Sequence, residues 1–216
     1  SKSVYQRFYD NYLSDNVMTE DEMTIWLYSN KLWSNILDDQ IKETEERIKD
    51  IKLEMYKNSH LKHKVESLRK NVRSLESLLV SSLSKKDSFF SNTCERQAEY
   101  NQKVWLLSKS IEITNLEFNI EDNLNSILYH YKTNLLDEKT VRQIARTEPW
   151  LSTWSVQSKS GTSLFKKYED SDLTINQKNL LLWSQTYENI QESVDCPNPQ
   201  IINDDDLLDG WFIDQS

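Results

Sequence analysis

Ile36–Met55 reads ILDDQIKETEERIKDIKLEM. Apolar positions Leu37, Ile41, Ile48, Ile51 and Met55, with Thr44 between, alternate steps of four and three and form a heptad seam over nearly three repeats. Glu43, Glu45, Glu46, Arg47, Lys49 and Asp50 fall between them and predict a wet opposite face. A second seam, Leu61, Val65, Leu68, Val72, Leu75 and Leu79, has the same rhythm but a different phase. The break falls at Asn58-Ser59-His60. It is either a helical-hairpin turn or a phase skip in one continuous helix, and the hairpin is favoured because Asn and Ser compete for backbone groups. No glycine is present to make that turn.

The rest of the chain speaks the same helical language. Thr19-Glu20-Asp21-Glu22 has the form of a capping box and predicts a helix start. Trp26 and Trp33, seven apart, are expected to share a helix face with Leu37. Ser84–Thr93 (SKKDSFFSNT) is polar and poor in helix formers, so it should separate the second seam from a third. That third seam runs Tyr100, Val104, Leu107, Ile111, Thr114 and Phe118, then continues after a shift as Ile120, Leu124, Ile127, Tyr131 and Leu135. Helices of about 25 to 40 residues would be about 40 to 60 Å long, and seams this narrow must pack antiparallel within the chain or associate between chains.

From Asp137 the character changes. Asp137 can cap a short helix through Arg146, and Glu148-Pro149 marks a boundary, with Pro149 able to open another short turn. Thr174-Ile175-Asn176-Gln177 is a second capping box, starting a helix to about Gln191, and Cys196-Pro197-Asn198-Pro199 is expected to stop it. The domains predicted are an N-terminal segment (1–18), a long helical coiled-coil body (19–136), a Trp-rich helical module (137–195) and an acidic tail (196–216). The fold class is all-α, with a long antiparallel hairpin as its body. Two glycines and three prolines in 216 residues leave little material for β-turns.

Charge is unevenly placed. After Lys178 there are eight acids and no Lys or Arg, whereas the first 178 residues carry 27 acids against 26 bases, so nearly all of the net −9 lies in the last 38 residues. Such a balance argues against nucleic-acid binding and for a basic partner surface. Cys94 and Cys196 lack metal-ligand spacing and read as free thiols. Neither a signal peptide nor a membrane span is expected, so the chain is expected to be made and used in cytoplasm, or packaged from it.

Sites of chemistry find no support. His60 and His63 are three apart but lack a third ligand. Asp204–Asp206 are consecutive, unlike the alternating acids of a calcium loop, and no Glu closes the set. No P-loop, nucleophile elbow or HExxH helix occurs, so no enzyme activity, cofactor or metal is expected. The seven tryptophans read chiefly as fillers between thin helices, with an exposed partner anchor as the alternative.

The segment DDDLLDGWFIDQ, Asp204–Gln215, is the candidate binding element. As a helix it brings Leu207, Leu208, Trp211 and Phe212 within an arc of about 140°, and Asp204, Asp205 and Asp206 sit in the first turn, where the macrodipole favours anions. Gly210 weakens it, so alone in water it should be mostly unfolded and order on binding. The predicted partner-binding residues are Asp204, Asp205, Asp206, Leu207, Leu208, Asp209, Trp211 and Phe212. Docking of the segment on its own body is the chief competitor.

The ordered series Glu148-Pro149-Trp150, Ser152 with Trp154, Leu164-Phe165, Leu173-Thr174 with Gln177, Leu182-Trp183-Ser184, Tyr187, Cys196-Pro197 and DDDLLDGW resembles the C-terminal region of tailed-bacteriophage tail or baseplate structural and assembly proteins, including chaperone-like members. The likeness covers roughly residues 140 to 213. It implies a protein without chemistry whose partners are other phage structural or assembly proteins, with neither nucleic acid nor membrane, in the virion or the host cytoplasm. Two other readings stand beside it: a regulator of a host nucleic-acid enzyme acting by acidic mimicry, and a cellular coiled-coil adaptor. Homo-oligomerisation stays open, because a heptad seam closes equally well within or between chains.

Overall fold

A computed structural model of the chain describes residues 2–110, 126–127, 129, 133–160, 164–165 and 173–216. The fold is all-α, and no strand occurs among the described residues. The chain divides into two compact units, Ser1–Leu124 and Asn125–Ser216. Among the described residues no helix is long and apolar enough to cross a membrane.

The first unit contains α1 (Lys2–Ser14), α2 (Glu20–Ser29), α3 (Asn35–Lys57), α4 (Lys62–Phe90) and α5 (Cys94–Ser110). The Thr19 box forms: Thr19 Oγ1 accepts from the Glu22 amide at 3.2 Å and Glu22 Oε2 accepts from the Thr19 amide at 2.9 Å. The break at Asn58 is a hairpin turn. Asn58 ends α3 by donating from its side chain and its amide to the Glu54 carbonyl, and the Leu61 amide then bonds the Asn58 carbonyl at 2.8 Å. Ion pairs Lys64–Glu54, Lys52–Glu76 and Lys86–Asp38 climb the two arms in opposite directions, as antiparallel packing requires. Leu61, assigned to the second seam, instead precedes α4 and is exposed.

Two expectations are corrected here. Ser84–Phe90 continues α4 without a break, because Lys86 reaches Asp38 at 2.6 Å and Phe89 meets the Trp33 ring edge-on at 6.2 Å, so tertiary contacts outweigh weak local propensity. The break comes at Ser91–Thr93. Trp26 and Trp33 do not share a helix: Asn30 donates to the Trp26 carbonyl at 2.8 Å and Lys31 turns the chain with φ 58°. With so little glycine in the chain, Asn16 (φ 59°) and Lys31 take up left-handed backbone at the turns after α1 and α2.

The N-terminal segment is helical. Val4, Phe8 and Tyr12 form one half-buried row and Tyr5 and Tyr9 another, and α1 packs along α5. At the start of α5 the Cys94 amide and thiol donate to the Met18 and Val17 carbonyls, both at 2.9 Å, and Glu95 accepts from the Glu20 amide. Of the third seam, Tyr100, Val104 and Leu107 lie on α5, Ile127 is half-buried and Leu135 exposed; Ile111, Thr114, Phe118, Ile120, Leu124 and Tyr131 fall outside the described residues.

In the second unit, α6 (Glu138–Ala145), α7 (Trp150–Ser160), α8 (Ile175–Glu192), α9 (Pro199–Ile202) and α10 (Asp205–Gln215) follow in order. Asp137 Oδ1 accepts from the Thr140 amide at 2.8 Å, and Thr174 and Gln177 form the second capping box. α8 ends at Glu192, ahead of Cys196–Pro199 as expected, but helix resumes beyond that stretch in place of an unstructured tail. Asn198 Oδ1 caps Gln200 and Ile201, and Pro199 opens α9 because its missing N–H is unneeded in a first turn.

Candidate functional site

The predicted binding segment is the last helix of the second unit, and it lies inside that unit. Asp204 is its N-cap, its carboxylate accepting from the amides of Asp206 at 3.2 Å and Leu207 at 3.3 Å. Asp206, Leu207, Leu208, Gly210 and Trp211 are buried, Leu208 completely. At 100° per residue these five span about 200° of the helix, wider than the single apolar stripe read from the sequence. Phe212 is half-buried, with its ring 5.2 Å from that of Trp211. The expectation that the segment stays unfolded until a partner arrives is therefore corrected: the arrangement is the self-docked one.

Arg142 on α6 and Arg146, which caps that helix, explain where the acidic charge goes. Arg142 and Arg146 are four apart, and so are Asp205 and Asp209, so each pair presents two like charges one turn apart on one helix face. Arg142 Nη2 donates to Asp209 Oδ1 at 2.8 Å, and its Nε lies 3.4 Å from Asp205 Oδ1, an ion-pair contact rather than a hydrogen bond. Arg146 Nη1 donates to the same Asp205 oxygen at 2.7 Å, to the Tyr187 hydroxyl at 3.0 Å and to the Ile202 carbonyl at 3.3 Å. Glu138 adds a longer contact to Arg142 at 3.8 Å.

Arg142 is itself buried, with its guanidinium carbon 4.2 Å from the centre of the Trp183 ring on α8. Burial opposes its charge, but Asp209 and Asp205 outweigh that cost and hold its pKa above the usual arginine value. A charge so enclosed needs its partners, because an unpaired buried ion is costly. The acidic segment thus meets a basic surface, and that surface belongs to its own chain. Sequence reading found the acids but passed over Arg142 and Arg146. Their i, i+4 spacing beside Asp205 and Asp209 was the available signal.

The tryptophans of this unit are mortar. Trp150 Nε1 donates to Ser184 Oγ at 2.7 Å and Trp154 Nε1 donates to Glu188 Oε2 at 3.1 Å, so two turns of α7 are tied to α8. Phe165 stacks on Trp150 at 6.0 Å, and the rings of Trp183 and Tyr187 lie 5.8 Å apart. A shallow cavity of about 470 Å³ opens outside this core, lined by Val141, Asn179, Leu182 and Trp183 among others.

The described residues contain no group of three or more His, Cys, Asp or Glu side chains placed to hold a metal ion. His60 lies in the hairpin turn and His63 in the first turn of α4, both exposed. Cys94 is buried and Cys196 exposed, and both are free thiols. No family model, no curated protein and no solved structure matches the chain.

Proposed function

We propose that the chain is a non-enzymatic structural or assembly protein of a tailed bacteriophage, binding other tail or baseplate proteins through its helices. The observation that carries this reading is a coincidence between resemblance and architecture. Trp154, Ser184, Tyr187, Leu207, Leu208 and Trp211, which carry the likeness to phage tail proteins, are buried in one module, with Trp150 and Trp183 half-buried beside them. A pattern kept for packing is what a shape-bearing protein needs, and it asks for no reacting group.

Surfaces for partners remain. In the first unit Ile25 and Trp26 are 67% and 43% exposed beside Leu13 and Met18, lining a groove of about 550 Å³. No Lys or Arg occurs from Phe8 to Asn30, while Asp10, Asp15, Glu20, Asp21 and Glu22 do, so a partner with a basic rim suits this groove. On α10, Phe212 and Ile213 keep partial exposure and give the segment its outward edge. Acidic mimicry draws less support, because Asp205 and Asp209 are already neutralised by Arg142 and Arg146.

The test is genetic. The gene is expected to lie among phage tail and baseplate genes, and its disruption is expected to give filled heads without complete tails by electron microscopy. A gene outside any phage genome, or infectious tailed particles made without it, overturns the reading.

A further inference from the structure

The α3–α4 hairpin is closed at one end and open at the other. Ile48, Met55, Val65 and Val72 are buried, Met55 and Val72 completely, and all four lie in the half nearest the turn. Farther along, Leu37, Ile41 and Leu79 occupy equivalent seam positions yet are only half-buried, and they line a groove of about 430 Å³ between the two arms. Leu78, which also lines it, is 57% exposed, and Ile36, one turn before the lining residue Gln40, is 69% exposed. At this end the two arms leave the seam open, and a second pair of helices would cover it.

Charge says which helices would complete it. α3 carries seven acids and five bases, net −2, while α4 carries three acids and seven bases, net +4. Rows one flank wide run Ile36, Gln40, Glu43 on α3 and Leu78, Ser82, Lys85 on α4, both with steps of four and three. Glu43 and Lys85 line opposite lips of the groove, and among the described residues neither has an ion-pair partner.

We propose that a second copy of this chain packs on this open face, with α3 of each copy lying antiparallel on α4 of the other. A two-fold axis parallel to the helices produces that arrangement. It sets acidic α3 against basic α4 twice, brings Glu43 within reach of Lys85 of the other copy and lets Leu78 of each fill the other's groove. A two-fold axis across the helices would instead stack α3 on α3 and acid on acid. The open half of the hairpin, about 13 residues of α3, gives a shared face about 20 Å long and about 20 Å wide, about 400 Å² per partner, so the pairing leans on charge as well as on apolar area. This pairing holds whatever process the chain serves.

The experiment uses the full chain with exposed Cys196 replaced by Ser, leaving fully buried Cys94 in place. Light scattering is expected to report a dimer. Leu78→Glu is expected to give a monomer with unchanged far-ultraviolet helicity, since Leu78 supports no intrachain core. Mixing a tagged Glu43→Cys chain with an untagged Lys85→Cys chain and adding a short bismaleimide is expected to link one of each. A monomeric parent, a dimer that survives Leu78→Glu, or linkage of Glu43→Cys chains chiefly to each other would overturn the proposal.

Discussion

The guanidinium carbon of Arg142 lies 4.2 Å from the centre of the Trp183 ring while the group donates to Asp209 at 2.8 Å, so one side chain joins α6, α8 and α10. Its neighbour Arg146 repeats the junction one turn later through Tyr187 and Asp205. Removing Arg142 takes from Asp209 its 2.8 Å donor and leaves Asp205 to Arg146 alone of the two arginines. Arg142→Ala is expected to destabilise the second unit by about 3–5 kcal/mol, the usual cost of breaking a buried ion pair from one side. Denaturant titration followed by tryptophan fluorescence measures it; a loss below 1 kcal/mol would show that the junction is dispensable. Arg142→Lys should recover part of the stability, since an ammonium keeps the charge but not the two-armed geometry.

Leu208 is completely buried on α10. Leu208→Ala should cost about 2–5 kcal/mol, and Phe212→Ala, at a half-buried position, clearly less. Equal losses in thermal melting would contradict the assignment of Leu208 to the core.

Because α10 belongs to the fold, its amides from Leu207 to Trp211 should exchange slowly in the free chain. Exchange at the rate of an unstructured peptide would return the segment to the role of a free docking arm. Deleting residues 200–216 should correspondingly expose Trp183 and Tyr187, red-shifting tryptophan emission.

In the first unit, Asp38 is the polar hub. Burial pushes its carboxyl up, but donation from Lys86, Tyr28 and Trp33 prevails and holds it down at about 2. A depressed acid stabilises the fold above its unfolded value near pH 4 and loses that contribution as pH falls toward 2. The contribution is on the order of 2 kcal/mol. Melting curves from pH 6 to pH 2 should therefore fall in that window for the parent and fall less for Asp38→Asn, which starts from lower stability.

The capping boxes make a smaller prediction. Thr19→Ala and Thr174→Ala each remove an acceptor for a first-turn amide and should cost about 1 kcal/mol. Urea midpoints would reveal it.

Local features were legible in the sequence wherever local chemistry decides them. Thr19, Asn58, Asp137 and Thr174 act where they were read, because a cap needs only residues within one turn. Ser84–Phe90 misled, since its helicity depends on Asp38 and Trp33, which lie far away in the chain. The acidic segment misled for a related reason. Its composition describes a peptide seeking a basic surface, and nothing within ten residues discloses that Arg142 and Arg146 supply it. Long-range pairing is invisible to periodicity, although equal i, i+4 spacings of opposite charge hint at it.

The placement of α10 also sets a timetable. Arg142 and its partner Asp209 are 67 residues apart, and at about 5–20 residues per second a ribosome takes about 3–13 s to make that interval. Until Asp209 is made the arginines lack that partner, and over the last 26 residues of the interval Trp183 is present without α10 as well. The second unit is thus a late-sealing structure, open to holdase capture or to premature pairing with a neighbouring nascent chain until its final helix arrives.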